Sequence, residues 1–166
     1  MSYSDDGILI LKKEKVATRC ELSLISKEIL SEVSEQFSAE NKFSDESLLQ
    51  LHGIFGDVFD RAVELHELSR VTKICSTPVA GISKERTNAR WLLQVKGISG
   101  EQYTLFPGVN FCSCAAFRYH VINDEIAYTC KHVLAGWLSS LDTQKLCIQE
   151  LLSTDFRNLL KSQLMY

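Results

Sequence analysis

The chain has 166 residues and a mass of 18.8 kDa, with 45% hydrophobic and 23% charged residues. That is enough for one domain of ordinary size and excludes a large multidomain enzyme. Eighteen Lys and Arg against 21 Asp and Glu leave a net charge of −3, which argues against adhesion to nucleic acid over the whole surface but leaves room for a local basic patch. No apolar run approaches the roughly 18–20 residues that span a bilayer, and no basic start, apolar core and small-residue cleavage site opens the chain. The expected home is therefore the cytosol or nucleus, with no membrane partner. In that reducing setting six cysteines point to a metal or redox site rather than a disulfide framework.

Residues 1–20 mix Asp5 and Asp6 with the apolar stretch from Gly7 to Leu11 and then Lys12, Lys13, Lys15 and Arg19, and read as a lead-in with one short strand at most. From about 21 to 37, Leu22, Ile25, Ile29, Val33 and Phe37 recur at spacings of 3, 4, 4 and 4, the pattern of an amphipathic helix. Ser44 before Asp45 and Glu46 predicts a capped helix start, running through Leu48, Leu49 and Leu51 to near Gly53. Asp57 is the expected cap of a third helix to about Leu68, with Phe59, Ala62 and Val63 inward. Val71 to Ser76 is β-prone, and Pro78 to Asn88 reads as a loop. The runs Arg90 to Lys96 and Gln102 to Phe106 predict a hairpin, and Pro107 and Gly108 turn the chain into a third strand over Asn110 to Cys114. Lys131 to Leu141 is helical, with Leu134, Trp137, Leu138 and Leu141 on one side. Leu152, Phe156, Leu159, Leu160 and Leu164 continue at helical spacing and are expected to pack on their own domain. The predicted class is α+β: a lead-in over 1–20, a helical region over 21–70, a β-hairpin or three-stranded sheet leading into a finger over 71–141, and a helical tail over 142–166.

The chemistry concentrates between 112 and 132, where Cys112-Ser-Cys114 is followed after fifteen residues by Cys130-Lys-His132. Thiolates and imidazoles suit tetrahedral Zn²⁺, and four protein ligands leave no open position, which is the structural rather than the catalytic arrangement. In an extended segment Cys112 and Cys114 point to the same side. On a helix two residues are about 200° apart, so Cys130 must sit at a helix entrance with His132 in the first turn. A disulfide such as Cys112 to Cys130, disfavoured by the reducing setting, and a Cys130/His132 nucleophile pair are the lesser alternatives. His120, inside the connection, is an alternative ligand but reads first as an exposed residue on a short helix from Ala115 to Ile122, and Cys20, Cys75 and Cys147 read as small buried hydrophobes.

Cys-x-Cys, a spacer, then Cys130-x-His132 with Ala135 three residues on, resembles the SWIM zinc finger, and the preceding hairpin with Trp91 and Tyr103 fits the strands that introduce it. Ser47-Leu-Leu-Gln-Leu, Ile54-Phe-Gly, Phe111-Cys-Ser-Cys-Ala-Ala-Phe and Cys130-Lys-His-Val-Leu-Ala extend the similarity to the stand-alone SWIM subunits of Shu-type recombination mediators, over roughly residues 44–141. The resemblance implies a nuclear, non-enzymatic protein with bound Zn²⁺. Such a protein would pair with a RecA-like recombinase paralogue and promote recombinase filament assembly on single-stranded DNA, with no small-molecule substrate. An autonomous finger for nucleic acid or for ubiquitin- or chromatin-pathway proteins is the alternative. No Gly-x-x-x-x-Gly-Lys-Ser/Thr loop occurs, so any ATP site belongs to a partner. The candidate nucleic-acid contacts are Lys84, Arg86, Arg90 and Lys96 beside Trp91, cations plus one aromatic platform; the plainer expectation is a solvated loop and hairpin rim with Trp91 in the core.

Overall fold

The computed structural model describes the backbone of residues 6–77 and 90–164 and the side chains of 21–77 and 90–163. Three helices come first: α1 (Asp6–Glu40), α2 (Asp45–Phe55) and α3 (Asp57–Glu67). The expected lead-in is corrected: from Asp6 onward it is the first half of α1, a helix of 35 residues, about 52 Å long at 1.5 Å per residue. Its second half carries the anticipated apolar face, with Val33 and Phe37 buried, and it ends where Asn41 takes a positive φ of 54°.

Ser44 caps α2 as expected, its Oγ accepting from the Ser47 amide at 3.1 Å. The Ser47 hydroxyl in turn donates to Gln36 Oε1 of α1 at 2.5 Å, so the cap also ties two helices together. The cap of α3 is Gly56, not Asp57. With φ 50° it closes α2 through a bond from its amide to the His52 carbonyl and opens α3, a left-handed position that favours glycine. On α3 the inward residues are Phe59, Ala62, Leu65 and His66, with Val63 half-buried.

A four-stranded sheet follows in the order β3-β2-β1-β4, from β1 (Val71–Thr77), β2 (Trp91–Lys96), β3 (Gln102–Leu105) and β4 (Cys147–Leu152). The predicted hairpin is β2–β3, antiparallel, and β1 adds antiparallel to β2 with Val71 opposite Val95. Two expectations fail here. Asn110 to Cys114 is no strand, and residues 147–152 form strand β4, parallel to β1, with Thr72 opposite Cys147. Only Ser153–Leu164 of the tail is helical, as α5, after a 3₁₀ turn at Thr143–Lys145.

One face of the sheet, bearing Val71, Leu93, Val95 and Leu105, packs on α3 and on α4 (Lys131–Leu141). Close packing favours glycine at 136, because a Cβ there would lie 2.8 Å from Leu105 Cδ1 and that side chain would have to shift. Half of the other face is covered by α5, whose Phe156 is buried with Ile74 and Leu92 and flanked by Leu151, Leu159 and Leu160. The C-terminal stripe thus packs on its own domain, except that exposed Leu152 belongs to β4; the Leu164 side chain lies outside the described residues.

A buried polar latch joins α3 to the end of α4. His66 Nε2 lies 3.2 Å from Asp142 Oδ2 and Nδ1 lies 2.8 Å from Ser139 Oγ. An ionised carboxylate only accepts, so Nε2 carries a proton, and in the neutral imidazole Nδ1 then accepts from the serine hydroxyl. Lys145 pairs with Glu67 beside it. No helix among the described residues is long and apolar enough to cross a membrane.

Candidate metal centre

The finger occupies the segment between β3 and α4. Cys112 and Cys114 lie on an irregular extended stretch and are buried, while Phe111 and Ser113 before and between them are exposed. The two-residue period therefore serves the thiols rather than a ladder of strand hydrogen bonds. Cys130 is the N-cap of α4, with φ −111° and ψ 167°, and His132 stands in the first helical turn. This is the placement the Cys-x-His spacing demanded: an extended residue at 130 lets both side chains converge.

The sulfurs of Cys112, Cys114 and Cys130 and a ring nitrogen of His132 all lie within 4.8 Å of one another, and all four residues are buried. Cys112 Sγ is 3.7 Å from His132 Nδ1. Tetrahedral zinc with Zn–S of about 2.3 Å and Zn–N of about 2.0 Å would set such a pair about 3.5 Å apart, so the donors already stand close to ligand spacing. Three buried thiols and the imidazole of His132 converge at one point, a donor set that suits a soft cation; His132 faces Cys112 through Nδ1, while its Nε2 finds no hydrogen-bond partner among the described residues.

The thiols share charge. Cys114 is held far below the usual thiol range by hydrogen bonds from Cys112 and Cys130. Cys112 is pushed up by its bonds to Cys114 and Cys130 and by burial. Cys130 rises to about 11, because the lowering bond from Cys112 is outweighed by the bond to Cys114 and by burial. Burial, Glu101 and the three cysteines raise the Tyr103 phenol as well.

The surroundings fix the tetrad. The Tyr103 ring of β3 stacks on His132 at 4.0 Å and 23°, which ties the hairpin to the finger. The Phe117 amide donates to Cys114 Sγ at 3.3 Å. Asn110 Nδ2 donates to the Tyr128 carbonyl at 2.9 Å, and Thr129 Oγ1 donates to Asn110 Oδ1 at 2.8 Å. This brace ties the residue two before the first half-site to the end of the connection that leads into the second. The sequence reading gave Asn110 and Thr129 no part in the site, although each sits within two residues of a ligand.

The connection is a π-helical turn over Phe117–Asn123. As expected His120 is exposed, pairing with Asp124 at 3.8 Å and away from the tetrad. Cys75 is half-buried and Cys147 exposed, so the view of these two as buried hydrophobes is corrected; the Cys20 side chain lies outside the described residues.

Three of the five proposed nucleic-acid residues, Arg90, Trp91 and Lys96, are among the described residues. Lys84 and Arg86 lie outside the described residues. Arg90 and Lys96 are exposed at opposite ends of β2, and Trp91 is half-buried with Lys73 Nζ 4.6 Å from its ring centroid. Trp91 is a core-edge residue capped by a cation, not an open stacking platform.

With the tetrad in place, the comparisons with known proteins become decisive. The chain is 32% identical over 133 residues to zinc finger SWIM domain-containing protein 7 of Mus musculus, covering 79% of this chain and 81% of that one. It is 30% identical over 144 residues to the Homo sapiens protein of the same name, covering 86% and 96%. The chain belongs to the family of zinc finger SWIM domain-containing protein 7. A Dictyostelium discoideum homolog of zinc finger SWIM domain-containing protein 7 aligns at 27% over 101 residues. No protein-family model matches the chain, and no solved structure matches it. In this SWIM family member the four cysteine and histidine ligands of the signature are the four residues that the fold brings together.

Proposed function

We propose that this SWIM protein is a zinc-stabilised, non-catalytic subunit that pairs with a RecA-like recombinase paralogue and promotes recombinase filament assembly on single-stranded DNA in the nucleus. The observation that carries the reading is the closed, buried Cys112, Cys114, Cys130 and His132 set in a chain similar along most of its length to SWIM-domain proteins. Four protein donors leave no coordination position for a substrate, so bound zinc would fix structure rather than catalyse. Its binding would order the finger, because metal binding at such sites is coupled to folding.

A protein partner is supported by the rim of the finger. Tyr119 is 56% exposed, Ile126 68% and Phe111 46%, with Val109 and Ile122 beside them in the same segment, an apolar concentration of the kind that marks interaction surfaces. Any ATP chemistry would come from the partner.

Native co-purification with metal analysis tests the proposal. The expected result is about one zinc per chain and a RecA-type ATPase in the complex. A metal-free native protein, or a stable complex without any RecA relative, would overturn it. Cys114→Ser and His132→Ala are expected to lose zinc and partner together; partner binding that survives in a zinc-free variant would refute their coupling.

A further inference from the structure

The second face of the sheet is only half covered. Strand register places Thr72, Ile74 and Ser76 of β1, Leu92, Gln94 and Lys96 of β2, Gln102 and Thr104 of β3, and Gln149 and Leu151 of β4 on this side. α5 lies over the apolar half, Ile74 and Leu92. The other half is open and forms a depression of about 420 Å³ lined by Arg70, Thr72, Gln94, Lys96, Gln102 and Gln149 together with Leu68 and Ser69, with no acidic residue in its lining. Among the described residues neither Arg70 nor Lys96 has an ion-pair partner, and the acid next to Arg70 on α3, Glu67, is engaged by Lys145. On a chain of net charge −3 these are two cations without a salt bridge among the described residues, and the acid beside Gly97, Glu101, already accepts from Ser99 Oγ.

We infer that this open polar half of the sheet binds the phosphate backbone of a single-stranded nucleic acid, with Arg70 and Lys96 on phosphates and Gln94, Gln102 and Gln149 within reach of sugar and base edges. Charge complementarity selects an anion. The chemistry of the surface then selects which one. Small-molecule sites are deep and mostly apolar, whereas this face is shallow and lined by three amides, two hydroxyls, two cations and a single aliphatic residue. Protein interfaces are anchored chiefly by tryptophan, tyrosine and arginine, with leucine under-represented; no aromatic residue lines the depression, and Leu68 is its one aliphatic residue. Anionic membranes recruit clusters of about four to eight cations, and two are present. A flat sheet face takes an unpaired strand whose base edges are free to meet amide side chains. Binding rests on the backbone alone, without stacking, and is therefore weak and steeply dependent on salt.

This inference goes beyond the partner reading and takes from it only the choice of DNA as the probe. The test is fluorescence anisotropy of the full-length, zinc-loaded chain with a labelled oligothymidylate at low and moderate salt. Arg70→Glu with Lys96→Glu is expected to weaken binding at least tenfold, while Arg70→Lys with Lys96→Arg retains it. Arg70→Ala with Lys96→Ala should make the salt dependence shallower by about 1.4 in log–log slope, roughly 0.7 for each phosphate that is no longer neutralised on a single strand. Zinc content and thermal unfolding of each variant establish that it is folded; if the Glu pair is not, the Ala pair decides. Affinity within twofold of the parent in the folded double variant, no binding at low salt, or equal affinity for duplex DNA would overturn the inference. So would displacement of the strand by millimolar inorganic phosphate. Failure of the proposed function is separable: the charge variants are expected to retain the RecA-type partner, and a chain that binds the strand but recovers no such partner refutes the partner reading alone.

Discussion

His66→Ala removes both arms of the latch between α3 and α4. Ser139 Oγ, 1% exposed, loses its imidazole partner, and a buried hydroxyl left unsatisfied costs about 1–3 kcal/mol. Asp142, whose side chain is 24% exposed, exchanges the imidazole for water and adds less. The space left by the ring brings the expected total to about 2–4 kcal/mol. For a chain of this size each kcal/mol lowers Tm by roughly 2–4 °C, so a fall of about 4–16 °C is expected in thermal unfolding with zinc in excess. Ser139→Ala alone should cost about 1–2 kcal/mol, because it leaves Nδ1 without a donor. Since the two residues share one bond, the double variant is expected to fall short of the sum by about 1 kcal/mol or more. Additivity within about 0.5 kcal/mol, the behaviour of independent sites, would refute the latch.

Two further outcomes follow from the site and from the second sheet face. Each sulfur must shed its proton to bind zinc, so metal affinity should rise with pH and fall on acidification. Chelator titrations at two pH values, with loss of helix and tyrosine signals followed as zinc leaves, check this; a pH-independent affinity would contradict three thiolate ligands. Phe156→Ala should cost about 3–5 kcal/mol, the range for emptying a buried phenyl site. Hydrogen exchange should rise in β1 and β4 before it rises in α3. Unchanged protection would show that α5 does not hold that face.

Local chemistry was legible where it was self-contained. Ser44 caps its helix because hydroxyl and amide are three residues apart, and Cys130 stands at a helix entrance because the Cys-x-His geometry allows little else. Non-local pairing was hidden. β4 has five of its six residues exposed, so Cys147–Leu152 shows no alternation, and its partner β1 lies more than 70 residues earlier. The segment at 110–114 misled in the opposite way: its alternation was real, but a metal site rather than a neighbouring strand set the period. The start of α1 was missed because its lysines and apolar run obscure a single helical face. His66 looked like any polar residue near a helix end, and only its two partners, 73 and 76 residues away, give it a role.

The parallel pairing of β4 with β1 also sets an order of events during synthesis. The ligands at 112–132 leave the ribosome before residue 147, so the metal can be captured and the finger closed while β1 still presents an unpaired edge. Such edges recruit other strands, and only the last segment of the described fold covers this one. A chain cut just before Cys147 would keep every zinc ligand and the whole hairpin, yet it would carry a seven-residue open edge together with the uncovered Ile74 and Leu92. Its fate would be self-association rather than loss of metal.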